Sequence, residues 1–214
     1  QILIQRLANG DARKVLPAIA VMRREILAAL AGQDLTSFQT ARLSVLLAEV
    51  TVITNRAAGE MAAVAIPNLQ DFAVYESQFT QRLLAGAVTV ELAGVSSAAL
   101  AETVLTAPMK LVSGSTTVRT TIPGMFDIFA GGVAREVETA VLNGITAGRT
   151  NQQITAEVSS LVGNRSKAQA QTVVRTATNQ VGALARSETY DQNSDVLQGE
   201  EWVATLDGRT RVEH

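Results

Sequence analysis

The chain has 214 residues, of which 47% are hydrophobic and only 4% aromatic, with a formal net charge of −2. These values are typical of a soluble globular protein whose core is built from Ala, Val, Leu and Ile, and they argue against disorder. The absence of Cys excludes disulfides and thiolate metal sites, and 18 basic against 20 acidic residues is a poor fit to a dedicated DNA-binding protein.

The start of the chain carries no signal for export or membrane insertion. It begins with Gln1 rather than Met, and no signal peptide is visible. No apolar run reaches the roughly 18 to 20 residues that a membrane span needs. We therefore expect no membrane partner, and we take the chain to be the ordered part of a longer protein.

Four amphipathic helices are predicted in the first half of the chain, because apolar residues recur there at steps of three and four. Pro17 lies in the first turns of the first helix or marks its start, Pro67 ends the second, and Ser96 can cap the fourth. Short connections between long helices indicate an antiparallel bundle. The predicted ranges are 11–31, 36–65, 72–92 and 97–107.

The helical period is interrupted at residues 109–124, where Gly, Pro and β-branched residues dominate. This composition predicts an extended excursion, either a short hairpin or an arm, and a boundary between two lobes. The pattern fits two alternatives equally well: a simple connecting loop, and an arm that docks on a partner.

A second helical set is predicted after this excursion. The apolar stripe from Phe126 to Val141 indicates one helix, despite Gly131 and Gly132 within it. Thr150 and Gln153 have capping-box spacing before a short helix, and Ser166 and Gln169 repeat that spacing before a long helix over 167–192.

The last fifteen residues alternate with period two instead. Trp202 and Leu206 point to one side and Thr205 to the other, and Asp207-Gly208 is a strong signal for a two-residue hairpin turn. Residues 200–206 and 209–213 are thus predicted to be paired strands. The predicted fold is mainly α: an N-terminal helical bundle, the excursion, and a second helical lobe that ends in a small β-hairpin.

No constellation of catalytic residues is evident. The chain has no Cys, its one His is His214, and no phosphate-binding loop or nucleophile elbow occurs. Asp207, Glu213 and His214 could meet at the end of the hairpin, but they make a weak metal site. We expect a protein that is not an enzyme and that needs no cofactor and no metal.

One face of the predicted long helix carries polar residues at helical spacing. Arg175, Asn179 and Arg186 share that face with Gly182. It could hold the following hairpin, with Asp207 as an acceptor for an Arg side chain. The alternative is a solvated helix face.

The C-terminal part of the sequence resembles the phage head morphogenesis family typified by the Mu F-like minor head protein. The resemblance covers roughly residues 125–214. It rests on an Arg-Thr element on a helix, followed some 25 residues later by a Trp, a Thr, an Asp, an Arg-Thr-Arg run and a His. Those family-motif residues are Arg175, Thr176, Asn179, Trp202, Thr205, Asp207, Arg209, Thr210, Arg211 and His214.

Two departures from the family pattern bear on the site. Ala177 stands where many members have Glu after the Arg-Thr element. Arg211 and His214 stand where some members carry a Cys pair that invites a zinc interpretation. Zinc binding is therefore not expected of this chain.

The resemblance implies a minor structural protein of a tailed-phage head. Its implied partners are the portal protein and other head proteins, with packaged DNA a weaker one, and its implied location is the virion, inside the head near the portal vertex. The domains would be a helical, portal-binding region over 1–108, a linker or arm over 109–124, and a Mu F-like lobe over 125–214.

Two other functions remain open from the sequence. The chain could be the packaging or delivery module of a longer protein whose toxin or peptidase domain lies beyond residue 214. It could also be an ejection protein that contacts DNA, against which the acidic balance argues.

Overall fold

The computed structural model describes residues 2–35, 40–86, 91–113 and 116–197. The predicted hairpin over 200–213 and the motif residues Trp202, Thr205, Asp207, Arg209, Thr210, Arg211 and His214 lie outside these ranges. Within them the chain is mainly helical with one small antiparallel hairpin, which confirms the predicted fold class. The helices are α1 (Ile2–Lys14), α2 (Leu16–Ala31), α3 (Thr40–Ala85), α4 (Ser97–Thr106), α5 (Ile122–Thr146), α6 (Asn151–Ser160) and α7 (Ser166–Gln192).

The helix predicted over 11–31 is two helices, with a break at Val15. Pro17 is the second residue of α2, where its missing N–H costs nothing because the first helical N–H groups have no intrahelical acceptor. The proline therefore marks the start of α2, which is one of the two positions predicted for it. The residues before it form α1, which begins well before the predicted boundary.

The prediction that Pro67 ends a helix is wrong. Pro67 lies inside α3, a 46-residue helix that replaces the two helices predicted over 36–65 and 72–92 and is roughly 69 Å long at 1.5 Å per residue. Proline removes the hydrogen bond to the carbonyl of Ala63, but both residues are on the exposed side of the helix. Met61 and Leu69, on either side of the proline, are both fully buried, so the two halves of α3 pack on the same core.

The predicted cap of the fourth helix is confirmed. The Ser96 hydroxyl accepts a hydrogen bond from the Ala99 N–H at 3.0 Å, and Ser96 has the extended backbone of an N-cap residue. This cap starts α4, which ends at Thr106 and leads directly to the strands.

The predicted excursion is a two-stranded antiparallel hairpin of β1 (Met109–Ser113) and β2 (Thr116–Thr120). Thr121 then caps α5 through the N–H of Gly124 at 3.2 Å. The hairpin interpretation of residues 109–124 is thus confirmed, although the last three residues of that range already belong to α5.

The capping box at Thr150 and Gln153 is present, with both reciprocal hydrogen bonds. The repeat of that device at Ser166 and Gln169 is wrong. A π-helical turn, Leu161–Arg165, joins α6 to α7 without leaving the helical path, so no free helix start exists for Ser166 to cap. Its hydroxyl donates instead to the carbonyl oxygen of Leu161 at 3.2 Å.

The core is one hydrophobic cluster centred on α3, which packs against α2, α4, α5 and α7. The predicted apolar stripe of α5 is fully buried in it. Side chains from both the 1–108 and the 125–214 segments contribute to this cluster, and whether the two segments are separate domains stays a prediction. None of the helices in the described part of the chain is both long and apolar enough to span a bilayer.

Candidate functional site

The polar face predicted on the long helix lies on α7, and part of it packs against α3. We call this contact the α3–α7 seam: Phe72, Glu76 and Ser77 on α3 face Gly182, Arg186 and Thr189 on α7. Residue numbers rise together along the seam, so the two helices run parallel.

Glu76 and Arg186 form the charged centre of the seam. Arg186 Nη1 donates to Glu76 Oε1 at 2.6 Å, and the Glu76 side chain is only 8% exposed. A carboxylate in such a position needs a charge partner, because burial without one is costly. The acceptor that the sequence proposed for this polar face, Asp207, lies outside the described residues, whereas Glu76 is the acceptor that the structure shows for Arg186.

Gly182 and Thr189 bring the two helices close on either side of that pair. A Cβ atom at Gly182 would stand 3.4 Å from the Phe72 ring, which is van der Waals contact, so the aromatic side chain packs closely on this part of α7. The hydroxyls of Ser77 and Thr189 are 2.8 Å apart, and Thr189 also donates to the carbonyl oxygen of Ala185. Both hydroxyls are buried, and each has a partner.

Three of the family-motif residues lie within the described part of α7, and they do not form one cluster. Arg175 is exposed, and its Nε donates to Oδ1 of Asn9 on α1 at 3.0 Å. Thr176 is half-buried and Asn179 is exposed. Arg175 therefore contacts α1 at a point of α7 about two turns before the seam begins at Gly182.

The end of α7 is held by a residue that the sequence analysis did not single out. Asn193 is 2% exposed, and its side chain binds both the N–H and the carbonyl oxygen of Ala93, at 2.7 and 3.0 Å. Its Nδ2 also donates to the carbonyl of Thr189 at 2.8 Å. Ala93 is 100 residues away in sequence, and no local pattern marks such a pairing.

Metal-ligating side chains are not gathered in this region. Across 2–35, 40–86, 91–113 and 116–197, no three His, Cys, Asp or Glu side chains are placed to hold a metal ion. The arrangement that the structure does show is one of interhelical contacts: a buried ion pair, a hydroxyl pair and an amide clamp.

The comparison with known families falls on this part of the fold. Residues 135–214 match the family described as Phage Mu protein F like protein. The matched segment runs from the second half of α5 through α6 and the π-helical turn to α7, and onward past the described residues. The match confirms the predicted resemblance to the phage head morphogenesis family.

Over residues 135–214 the chain is thus similar to the Mu F-like phage proteins, and the match leaves residues 1–134 outside it. No curated protein and no solved structure matches the chain.

Proposed function

We propose that the protein is a minor structural protein of a tailed-phage head that associates with the portal vertex. It acts there in head morphogenesis or DNA delivery, and it performs no catalysis. The observation that carries this proposal is the family match over residues 135–214. The portal, the location near the portal vertex and the absence of an enzymatic role go beyond that match.

The shape of the helical part supports a role in binding a large partner. At about 69 Å, α3 is the longest helix among the described residues, and α2, α4, α5 and α7 pack along it. Large apolar side chains remain exposed on it, among them Val45, Val52, Phe79 and Leu83, with exposed fractions of 43 to 65%. Such residues suit extensive contact with a ring of subunits.

Packaged DNA is a weaker partner in this proposal. A net charge of −2 provides no broad attraction for phosphates, so contact with DNA would have to be local. We therefore place protein–protein contact ahead of DNA contact in the proposed role.

Co-expression with the portal protein of the same phage genome tests the proposal. The expected result is co-elution with the portal ring in size-exclusion chromatography, with a stoichiometry that light scattering can measure. A chain that elutes alone as a monomer, at portal concentrations that saturate other portal-binding proteins, would contradict portal association. A hydrolytic activity that copurifies with the isolated chain through several columns would contradict the non-enzymatic role.

A further inference from the structure

The hairpin between α4 and α5 has an edge with no partner strand. β1 and β2 pair with each other alone among the described residues, in the register Lys110 opposite Arg119 and Leu111 opposite Val118. Thr117, Val118 and Arg119 are all exposed, so the outer edge of β2 is open to solvent. An open strand edge is a template for another strand.

One face of the hairpin carries two cations directly opposite each other. Lys110 and Arg119 are both exposed, and within the described residues neither has an ion-pair partner. Like charges at directly opposite positions repel, which destabilises the strand pair. A carboxylate next to Arg119 on a third strand would remove that repulsion.

The other face of the hairpin is apolar and incompletely covered. Leu111 lines an open groove of about 470 Å³ together with Met125, Ile128 and Phe129. Val118, opposite Leu111, is 42% exposed, and Ile128 is 45% exposed. An apolar side chain next to Val118 on a third strand would cover this surface.

We propose that the outer edge of β2 binds an extended segment of another head protein as a third strand, with alternating acidic and apolar side chains. The alternation follows from strand geometry, because successive side chains point to opposite faces of a sheet. An acidic residue beside Arg119 and an apolar residue beside Val118 are neighbours in such a segment. Main-chain hydrogen bonds to β2 supply affinity, and the two rows of side chains supply specificity.

This proposal depends on the proposed function in one respect: it takes the partner to be another head protein. Nucleic acid is the less favoured ligand, because phosphates would neutralise Lys110 and Arg119 but would leave the strand edge and Val118 uncovered. A second copy of this chain is also less favoured, because the β2 edge of a copy would bring a second Arg119 toward the first.

The test uses the full chain, labelled with ¹⁵N, and a short acetylated peptide of alternating Glu and Val. The expected result is a saturable change in the amide shifts of Thr117, Val118 and Arg119, with slower hydrogen exchange along β2. A peptide of the same composition with Glu and Val in separate blocks should bind several-fold more weakly, as should an alternating Lys and Val peptide.

Charge-reversal variants sharpen the test. Arg119→Glu should weaken binding of the Glu–Val peptide several-fold. Arg24→Glu, at an exposed position of α2, which packs on α3 and α6, should leave that binding unchanged. The double variant Lys110→Glu with Arg119→Glu should prefer the Lys–Val peptide. This reversal of preference cannot come from a misfolded hairpin.

Four results would overturn the inference. Two concern the peptides: no change in the amide shifts along β2 at saturating peptide, or equal binding of the block and alternating peptides. The other two are tighter binding of a single-stranded oligonucleotide than of the Glu–Val peptide, and protection of β2 from hydrogen exchange that rises with protein concentration in the absence of peptide. None of them bears on co-elution with the portal ring. Failure of this docking site and failure of the proposed function are therefore separate outcomes.

Discussion

Arg186 Nη1 lies 2.6 Å from Oε1 of Glu76, and this contact joins α7 to the last third of α3 across 110 residues of sequence. The carboxylate is nearly buried, while the guanidinium is 37% exposed. The pair therefore belongs to the seam that holds the family-matched segment on the long helix.

Replacing Glu76 with Gln should destabilise the protein. The variant removes the charge that Arg186 pairs with, and hydrogen bonds to charged groups contribute about 1.5–3 kcal/mol, reduced here by the exposure of Arg186. We expect a loss of about 1–2 kcal/mol in the free energy of unfolding, measured by urea denaturation. Glu25→Gln, which breaks the more exposed pair with Arg56, is the control and should cost less than about 1 kcal/mol. Equal losses in the two variants would contradict the special role of the seam.

Two glycines in α5 should respond in opposite directions to alanine. A Cβ atom at Gly144 would lie 2.5 Å from Cγ1 of the fully buried Ile154, so Gly144→Ala should lower the free energy of unfolding by about 1–3 kcal/mol. Gly131 has open space around its Cα, so Gly131→Ala should raise stability by about 0.4–1 kcal/mol through helix propensity and unfolded-state entropy. Thermal unfolding of both variants checks this. A stabilised Gly144→Ala protein would show that α5 and α6 are not in close contact.

Pro67→Ala should stabilise α3. Alanine restores the N–H that can bind the Ala63 carbonyl, and proline is up to about 3 kcal/mol less favourable than alanine inside a helix. Pro17→Ala is the matched control, because Pro17 lies in the first turn of α2 and should change stability by less than about 1 kcal/mol. Circular dichroism during thermal melting measures both. A destabilised Pro67→Ala variant would mean that the proline is needed for the path of α3.

Asn193→Ala should loosen the junction between α7 and the segment at Ala93. The variant removes three hydrogen bonds, two of which are part-buried bonds to the N–H and carbonyl groups of Ala93, at a cost of about 1–3 kcal/mol. Hydrogen exchange at the Ala93 amide should become much faster. Asn179→Ala, at an exposed position of the same helix, should stay within about 0.5 kcal/mol of the parent. Unchanged exchange at Ala93 would contradict the clamp.

The features that the sequence predicted correctly depend on interactions between residues that are close together in the chain. The Ser96 cap, the Thr150–Gln153 capping box and the apolar stripe of α5 each depend on residues within a few positions of one another. The helical fold class followed from the same periodicity. These features are where the sequence and the structure agree.

The features that the sequence did not predict depend on how distant parts of the chain pack together. Pro67 is tolerated because buried residues on both sides of it pack on one core, and no single-helix pattern reveals that. Ser166 has the spacing of a cap, but a π-helical turn removes the helix start it would cap. The partners of Arg186 and Asn193 lie 110 and 100 residues away, so only the folded chain identifies them.

The amount of this protein in phage heads assembled with and without the portal protein tests the central claim most directly. Quantitative mass spectrometry of purified heads measures it. We expect a few copies per particle in heads that contain the portal and none in heads assembled without it. Equal amounts in both kinds of head, or absence from both, would contradict a portal-associated head protein.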